Sequence, residues 1–189
     1  RDPRKALTVG FGTGTTSGSM LQHGIEVHAV EIEEKIIEAA PLFSAVNHQS
    51  YANPALELVL DDARNYIGIA DQSFDVVLQI DTLQHLRNAE VMLRETARVG
   101  KLGIVAFPNF AHWPNRLQVL HGQMPVTKTL PYQWYDTPNI RVGTFADFAA
   151  LAAKDQLQVT DAFGMQGGHV VRWWPNARAS MAVFAFRRG

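Results

Sequence analysis

The sequence predicts an α/β fold: a doubly wound, mostly parallel sheet of seven strands with an antiparallel last strand, in a single domain over residues 1–189. Short apolar runs alternate with segments of helical periodicity along the chain, which is the pattern of such a sheet. The run VVLQI at residues 76–80 is apolar almost throughout, as expected for a parallel strand covered on both faces. A loop with three glycines joins the first strand to the first helix.

Each element follows from its apolar pattern and from the turn residues at its ends. The last two strands are joined by a loop with Gly164, Gly167 and Gly168 and without a clear helix, which favours an antiparallel hairpin at the sheet edge. A seventh strand inserted in this way is typical of the class I methyltransferase type of Rossmann-like fold. The predicted strands are residues 6–10, 26–31, 56–60, 74–80, 102–107, 157–163 and 181–187, and the predicted helices are residues 15–23, 33–46, 63–68, 88–99 and 145–154.

Composition excludes several classes of protein. The formal net charge is −1, so we expect no broad electrostatic binding to nucleic acid or to an anionic membrane. The chain has no cysteine, which excludes disulfides, thiolate metal sites and a cysteine nucleophile. No apolar run reaches the ~18 residues of a membrane span, and no signal peptide opens the chain, so we expect a cytoplasmic protein.

The main functional signal is the stretch ALTVGFGTGTTSG together with Glu31, which ends the next apolar run. Gly10, Gly12 and Gly14 allow the backbone to turn tightly and to approach a ligand closely. An acidic residue at the end of the following strand, about 20 residues on, can accept hydrogen bonds from both hydroxyls of a ribose. The order of strand, loop, helix and acidic strand end therefore predicts a site for an adenosine-containing small molecule.

Two further groups of polar residues follow predicted strands. After the third strand, we assign Asp62 to the exocyclic amine of adenine and Ala63 to leaving room for the ring; the alternative is an aspartate that caps the next helix. After the fourth strand, Asp81 can balance an ammonium group of the ligand and His85 can act as a base. The alternative is an exposed capping aspartate and a surface histidine, which we favour for His85 because it has no visible partner.

The segment Pro108–Ile140, which we call the aromatic segment, interrupts the alternation of strands and helices. It holds five prolines, which make a long regular element unexpected, and it is dense in aromatic residues, which argues against disorder. We expect a lid over the site or an interface, or else a satellite apolar cluster that holds a long loop down. The candidate substrate or lid residues are Asn109, Trp113, Tyr132, Trp134 and Tyr135, with Arg116 and Arg141 as candidates for binding a carboxylate. The histidines lack metal-ligand spacing, so we predict no metal.

The second half of the chain resembles a known family. Residues from about 74 to 189 are similar to the methionine biosynthesis protein MetW family through FDVVLQIDTLQHLRN, MLRETARVGKLGIVAFPNFAHW and MPVTKTLPYQWYDTPNIR. The resemblance implies a class I fold dependent on S-adenosylmethionine (SAM) and a role in methionine biosynthesis together with a homoserine O-acyltransferase. The resemblance does not identify the methyl acceptor more closely than as a small molecule.

The first half resembles a different family. Residues from about 6 to 67 are similar to aminopropyltransferases of the spermidine synthase type through VGFGTGTTSGS, VHAVEIEEKIIEAA, NH and DDARNYI. This resemblance implies that the three glycines, Glu31 and Asp62 line a site for decarboxylated SAM. The catalytic aspartate of that family falls on Ile80 here, with Asp81 one place later, and a one-residue shift in a strand turns the side chain to the other face. An acid expected in the glycine loop is Thr13.

The two halves together predict a mosaic of related sequences, because TVGFGTG stands where the MetW pattern has DLGCGDG. Three functions follow as hypotheses: a SAM-dependent methyltransferase, an aminopropyltransferase that uses decarboxylated SAM, and a non-enzymatic partner subunit of a homoserine O-acyltransferase. The catalytic residue stays open, with Asp81 and His85 as candidates.

Overall fold

The computed structural model describes residues 2–63 and 70–189. The described strands form one sheet in the order β3-β2-β1-β4-β5-β8-β6-β7. The strands are β1 Lys5–Val9, β2 Glu26–Glu31, β3 Leu56–Leu60, β4 Phe74–Ile80, β5 Gly100–Pro108, β6 Leu157–Gln166, β7 His169–Val171 and β8 Met181–Arg188. The helices are α1 Thr15–Gln22, α2 Glu34–Ala39, α3 Ser44–Asn47, α4 Ala89–Val99, α5 Trp113–Leu120, α6 Phe145–Lys154 and α7 Pro175–Arg178.

The predicted fold class is confirmed. β1 pairs in parallel with β2 and with β4, and β2 pairs in parallel with β3, while β6 pairs antiparallel with β7 and β8. No helix within residues 2–63 and 70–189 combines the length and the apolar character that a membrane crossing requires.

The sheet contains one strand more than the seven predicted. The additional strand, β7, is only three residues long and joins β6 through Gly167 and Gly168, whose φ angles of 56° and 82° suit a two-residue hairpin turn. Three residues are too few to show a period-two pattern. Gly164 was also misplaced, since it lies inside β6 and not in the loop; a Cβ there would come within 2.1 Å of Ala179, so a glycine allows this close approach.

The helices differ from the prediction in two ways. α5 and α7 were not predicted, and each carries its proline, Pro114 or Pro175, in the first turn, where no intrahelical N–H is needed. The predicted helix 33–46 is divided into α2, a 3₁₀ turn at Ala40–Phe43 and α3. Most of the predicted helix 63–68 lies outside the described residues.

Two compact units are distinguished by their internal contacts. Unit 1 comprises the chain up to Gln79 together with Glu95–Gly103. Within it, the parallel pairing of β1, β2 and β3 brings their carboxyl ends to one edge, where Glu31 ends β2 and Gly10 and Asp61 follow β1 and β3. The buried core cluster of unit 1 contains Leu7, Val9, Val30, Phe74, Val77 and Val99.

Unit 2 comprises Ile80–Arg94 and Ile104–Gly189. α6 begins with a capping box in which the Thr144 hydroxyl accepts from the Asp147 amide and the Asp147 carboxylate accepts from the Thr144 amide. This box fixes the start of a helix whose Phe148 is buried. Stacked and tilted rings then form the aromatic core of the unit: Phe107, Phe145, Phe148, Phe184 and Phe186.

Candidate functional site

The glycine loop of unit 1 follows directly from β1. The Gly10 amide donates to the Val30 carbonyl at 2.8 Å, which continues the pairing of β1 with β2 by one residue. Gly10, Gly12 and Gly14 all have positive φ, at 86°, 56° and 79°. A Cβ on Gly12 would meet no atom within 4 Å, whereas one on Gly14 would lie 2.6 Å from the Phe11 ring. The loop therefore requires glycine for conformation, and it leaves open space beside Gly12.

Glu31 is buried at the end of β2, and its carboxylate binds four backbone amides. Oε2 accepts from the amides of Phe11 at 2.9 Å and Gly12 at 3.2 Å, and Oε1 accepts from Ile32 at 2.9 Å and Glu33 at 3.1 Å. Four donors match the roughly four lone-pair positions of a carboxylate. Glu31 thus fastens the glycine loop to the turn after β2, a role that the sequence did not indicate. Its binding of a ribose stays a prediction.

The Asp61-Asp62-Ala63 turn lies beside Glu31. The Asp61 amide donates to the Glu31 carbonyl at 2.9 Å, and the Asp61 carboxylate accepts from the Asp62 amide at 2.6 Å. Ala63 is half-buried and packs against the core cluster of unit 1. The structure therefore brings Asp62 and Ala63 to the same sheet edge as the glycine loop, and their contact with adenine stays a prediction.

The glycine loop is also supported by two buried side chains, which the sequence did not indicate. Both donate hydrogen bonds to backbone carbonyls of the loop. The Asn47 amide nitrogen donates to the carbonyls of Thr13 at 3.0 Å and Ala40 at 2.8 Å. The Ser50 hydroxyl donates to the Gly14 carbonyl at 3.2 Å. Asn47 had drawn attention only as part of the NH pair in the aminopropyltransferase resemblance. Nothing in a single sequence shows that a residue more than thirty positions away contacts the loop.

Asp81 directly follows β4 and belongs to unit 2. It has a φ of 53°, which an aspartate tolerates better than most residues, and its amide donates to the Ala106 carbonyl at 2.9 Å. Desolvation raises the pKa of the Asp81 carboxyl, while a hydrogen bond from Gln84 and the charge of His85 act in the opposite direction. An elevated pKa is one mark of a functional carboxyl. Its pairing with a ligand ammonium stays a prediction.

His85 is exposed and occupies the 3₁₀ turn after β4. Its Nδ1 lies 3.2 Å from the Pro138 carbonyl, at the end of the aromatic segment. Ile140, the last residue of that segment, and the adjoining Arg141 are bound to the same turn. The amides of both donate to the Gln84 carbonyl at 3.0 Å. His85 therefore has a partner, and this contact anchors the segment. Its role as a base stays a prediction.

The candidate lid residues divide into one buried hub and four exposed rings. Asn109 is 1% exposed, and its amide nitrogen donates to the carbonyls of Asn176 at 3.0 Å and Ala179 at 2.8 Å, while its Oδ1 accepts from Ala111 and Phe145. This arrangement is structural in character. The rings of Trp113, Tyr132, Trp134 and Tyr135 are 56%, 47%, 72% and 70% exposed, and their role as a lid or an interface stays a prediction.

Unit 2 contains a cavity of about 190 Å³. Its polar lining includes Gln84, Arg141, Thr144 and Asp147, and the four exposed rings, all of them described, are not part of its wall. The described part of the chain has no cluster of three His, Asp or Glu residues that could hold a metal ion. Most of the wall is apolar, from residues such as Leu83, Phe107, Phe110, Leu130, Phe148 and Leu151.

Comparison with protein families finds one match that covers nearly the whole chain. The model of the family described as methionine biosynthesis protein MetW matches residues 1–186. This match includes the N-terminal half, which the sequence analysis had set apart as aminopropyltransferase-like. The prediction that the MetW resemblance begins near residue 74 was therefore too narrow, because the departures around the glycine loop do not remove that half from the family.

Individual relatives cover less of the chain. The bifunctional methionine biosynthesis protein MetXA/MetW of Rhodopirellula baltica is 34% identical over 62% of this chain and 20% of its own length. A polyamine aminopropyltransferase of Thermococcus onnurineus is 30% identical over 50% of this chain and 34% of its own length. The chain thus spans a fifth to a third of the length of these two relatives.

Solved structures agree on the fold. A SAM-dependent methyltransferase from Thermotoga maritima superposes with a TM-score of 0.65 at 17% sequence identity, covering all of this chain and 83% of the other. The chain therefore has the class I methyltransferase fold.

Proposed function

Because the chain belongs to the methionine biosynthesis protein MetW family, we propose that it binds SAM at the glycine loop of unit 1 and transfers the methyl group to a small-molecule acceptor. One observation carries the proposal: open space beside Gly12 adjoins a buried carboxylate, Glu31, that already binds the loop. The similarity to a solved SAM-dependent methyltransferase supports it.

The residues of unit 1 fit an adenosyl group. The positive-φ glycines present backbone without side chains, so a ligand can approach the loop closely. Because four backbone amides already use the lone-pair positions of the Glu31 carboxylate, a ribose that donates to Glu31 has to replace one or more of these amides beside the loop. Asp62 accepts from the adenine amine and Ala63 leaves room for the ring. When bound, SAM supplies an activated methyl group, and the protein contributes its position and orientation.

Calorimetry with SAM and with S-adenosylhomocysteine tests the proposal. We expect the wild-type chain to bind both compounds. Glu31→Ala removes a charged acceptor and is expected to weaken binding about 30-fold or more. Because that change also leaves four amides without an acceptor, Asp62→Ala serves as a second variant, with an expected loss of about tenfold.

Glu34→Ala is the matched control, since this carboxylate lies exposed in the first turn of α2 and outside the proposed contacts. Its affinity should equal that of the wild type. Circular dichroism verifies that each variant is folded. If a folded wild-type chain binds neither compound, or if all three variants bind equally well, the proposal is wrong.

The aminopropyltransferase relative favours a second candidate, in which the same site takes decarboxylated SAM. The two candidates differ at the carboxylate of the ligand, so competition between SAM and decarboxylated SAM separates them. We expect SAM to bind more tightly. A preference for the decarboxylated form together with turnover of putrescine would favour the aminopropyltransferase.

The name of the Rhodopirellula relative joins MetXA and MetW in one bifunctional protein, which favours a further role as partner of a homoserine O-acyltransferase. The exposed pair of Trp134 and Tyr135, with ring centroids 5.6 Å apart, is the surface we assign to this contact. Aromatic side chains are frequent anchors of protein interfaces. Co-purification with the acyltransferase should be lost on the double change Trp134→Ala and Tyr135→Ala.

A control is available at Trp173, which is equally exposed but contacts Arg178 and lies outside the aromatic segment. Trp173→Ala should leave co-purification intact. The role as partner fails if the acyltransferase neither binds the wild-type chain nor changes its activity when the chain is added.

A further inference from the structure

We propose that the cavity of unit 2 binds a small uncharged apolar group, about the size of a single ring, and that this group contacts the aromatic segment at Leu130. The proposal concerns unit 2 alone and does not depend on a cofactor in unit 1. It rests on the volume of the cavity, the composition of its wall, the hydrogen bonds that fix the wall, and the place of Leu130 in it.

The volume of the cavity limits what it can hold. It measures about 190 Å³, somewhat more than the ~150 Å³ of an engineered apolar cavity that binds benzene. A ring with a small substituent therefore fits, whereas a whole nucleotide does not. The cavity is partly open to solvent, so such a group can enter while the unit stays folded.

Apolar side chains make up most of the wall. Phe107, Leu130 and Phe148 are buried, and Phe110 and Leu151 are half-buried. Side chains of this kind offer dispersion contacts, and the phenylalanines offer edge-to-face contacts to a ring. They do not compensate a charged group for the loss of its hydration. The wall therefore selects an uncharged apolar group.

The two charged residues of the wall, Asp147 and Arg141, do not require a charged ligand. The Asp147 carboxylate accepts from the amide and the hydroxyl of Thr144 in the capping box at the start of α6. The Arg141 guanidinium donates to the carbonyls of Arg87 at 3.0 Å and Ile140 at 3.4 Å, and the side chain is exposed to water. Both charges are thus accommodated by the protein and the solvent, without a ligand.

Hydrogen bonds between main-chain segments fix the wall of the cavity. The amides of Ile140 and Arg141 donate to the Gln84 carbonyl at 3.0 Å, and the Phe110 amide donates to the Gly143 carbonyl at 2.9 Å. These bonds join segments that carry the wall, and they use only backbone groups, so a ligand need not break them. The cavity is therefore formed before a ligand binds, as most small-molecule sites are.

Leu130 brings the aromatic segment into the wall. Its side chain is buried, unlike the four exposed rings of the segment, which lie outside the wall. The Leu130 amide donates to the Thr127 carbonyl at 3.1 Å, and the Thr127 amide donates to the Leu130 carbonyl at 2.9 Å. An apolar group in the cavity adds contacts to Leu130 and should therefore stabilise this turn against opening.

Ligand-observed NMR or calorimetry with the full chain and three probes tests the class of ligand. The probes are toluene, which is uncharged, benzoate, which adds a negative charge to the ring, and benzylammonium, which adds a positive charge. We expect toluene to bind with a Kd of about 1 mM or below, and each charged probe to bind about tenfold more weakly. If either charged probe binds as tightly as toluene, the proposal is wrong.

Two variants locate the binding. Ala89→Leu places a larger side chain in the wall at the start of α4 and should weaken the binding of toluene about tenfold or more. Gly143→Ala is the milder change, because its Cβ would lie 3.4 Å from the Phe107 ring, and should weaken binding about threefold. Ala150→Leu, which is exposed on α6 and outside the wall, is the matched control and should bind toluene like the wild type.

Amide hydrogen exchange tests the contact with the aromatic segment. Toluene at about four times its Kd should slow the exchange of the Leu130 and Thr127 amides by up to about fivefold. The Asp136 amide, which donates to the Gln133 carbonyl in the exposed part of the segment, is the internal control and should exchange at an unchanged rate.

The proposal is overturned if toluene does not bind the folded chain at about 5 mM, if Ala89→Leu and Gly143→Ala both bind it like the wild type, or if exchange at Leu130 and Thr127 does not slow. Gly143→Ala tests the site even where Ala89→Leu fails to fold. Failure of SAM binding in unit 1 would leave these results unaffected, so the two proposals can fail separately.

Discussion

The glycine loop of unit 1 and the aromatic segment of unit 2 are both irregular, but they are held in opposite ways. The glycine loop is supported along its length by buried polar side chains, with Glu31, Asn47 and Ser50 accepting from or donating to its backbone. The aromatic segment is fastened by hydrogen bonds near its ends, from Asn109 at the start and to the Gln84 carbonyl from the amides of Ile140 and Arg141, and by the buried Leu130 between them. Between those ends, its large rings face solvent.

This difference separates two kinds of functional surface. A loop whose backbone groups are satisfied from within holds one conformation, which suits the close binding of a small ligand. A segment anchored at its ends with exposed rings between them presents apolar area, which suits contact with another molecule. Four predictions follow, three for substitutions in the two regions and one for Asp75 elsewhere in unit 1, from the largest expected change in stability to the smallest.

Gly14→Ala should have the largest effect. The φ of 79° disfavours any Cβ, and the added methyl would lie 2.6 Å from the Phe11 ring and 2.8 Å from the Ser50 hydroxyl. Strain and overpacking together should lower the free energy of unfolding by about 4 kcal/mol. Urea denaturation measures this free energy of unfolding. Gly12→Ala is the matched control: it has the same backbone strain but open space, and should cost only about 1–2 kcal/mol.

If Gly14→Ala and Gly12→Ala lower the free energy of unfolding equally, the loop is not packed against Phe11 and Ser50. The glycine loop would then not be supported from within, as the comparison requires.

Asn109→Ala should destabilise the anchor of the aromatic segment by about 3 kcal/mol, because buried carbonyls and amides lose their partner at once. Thermal unfolding measures the change. Asn139→Ala, near the other end of the segment, should cost less than about 1 kcal/mol, since its side chain is only half-buried. A small effect at Asn109 would mean that the exposed rings, rather than the ends, hold the segment.

Local patterns were enough to predict most of the parallel sheet and the glycine loop. Apolar runs marked β1 to β4, and three glycines before a helix with Glu31 at the next strand end marked the loop. The supports of these regions were not predictable, because Asn47 contacts Thr13 across 34 positions and Asn109 contacts Ala179 across 70. α5 was missed for a different reason, since Pro114 was taken as a helix breaker although the first turn tolerates it.

The Asp75 carboxyl should make the stability of unit 1 depend on pH. Hydrogen bonds from Lys101 and from the amides of Arg4 and Lys5 lower its pKa to about 2. The folded pKa lies below the unfolded one, so the stabilisation is complete above about pH 4 and is lost as the pH falls toward 2. After allowance for solvent screening, it amounts to about 1 kcal/mol.

Asp75→Asn should therefore lower the free energy of unfolding by about 1 kcal/mol at pH 7 and by much less at pH 2.5, as measured by urea denaturation at both values. Asp136→Asn, in the exposed part of the aromatic segment, should change it by less than about 0.5 kcal/mol at either pH. If Asp75→Asn lowers the free energy of unfolding as much at pH 2.5 as at pH 7, the hydrogen bonds of Asp75 stabilise the fold independently of its charge.

Trp134→Ala should have the smallest effect on stability and is the sharpest test of the comparison. The ring is 72% exposed and contacts Tyr135, so its removal should change the free energy of unfolding by less than about 0.5 kcal/mol. Binding of an acyltransferase should nevertheless weaken, because a large exposed ring gains its burial only in a complex. A variant that is as stable as the wild type and still binds fully would show that the interface lies elsewhere. A variant that unfolds readily would show that the exposed rings hold the segment after all.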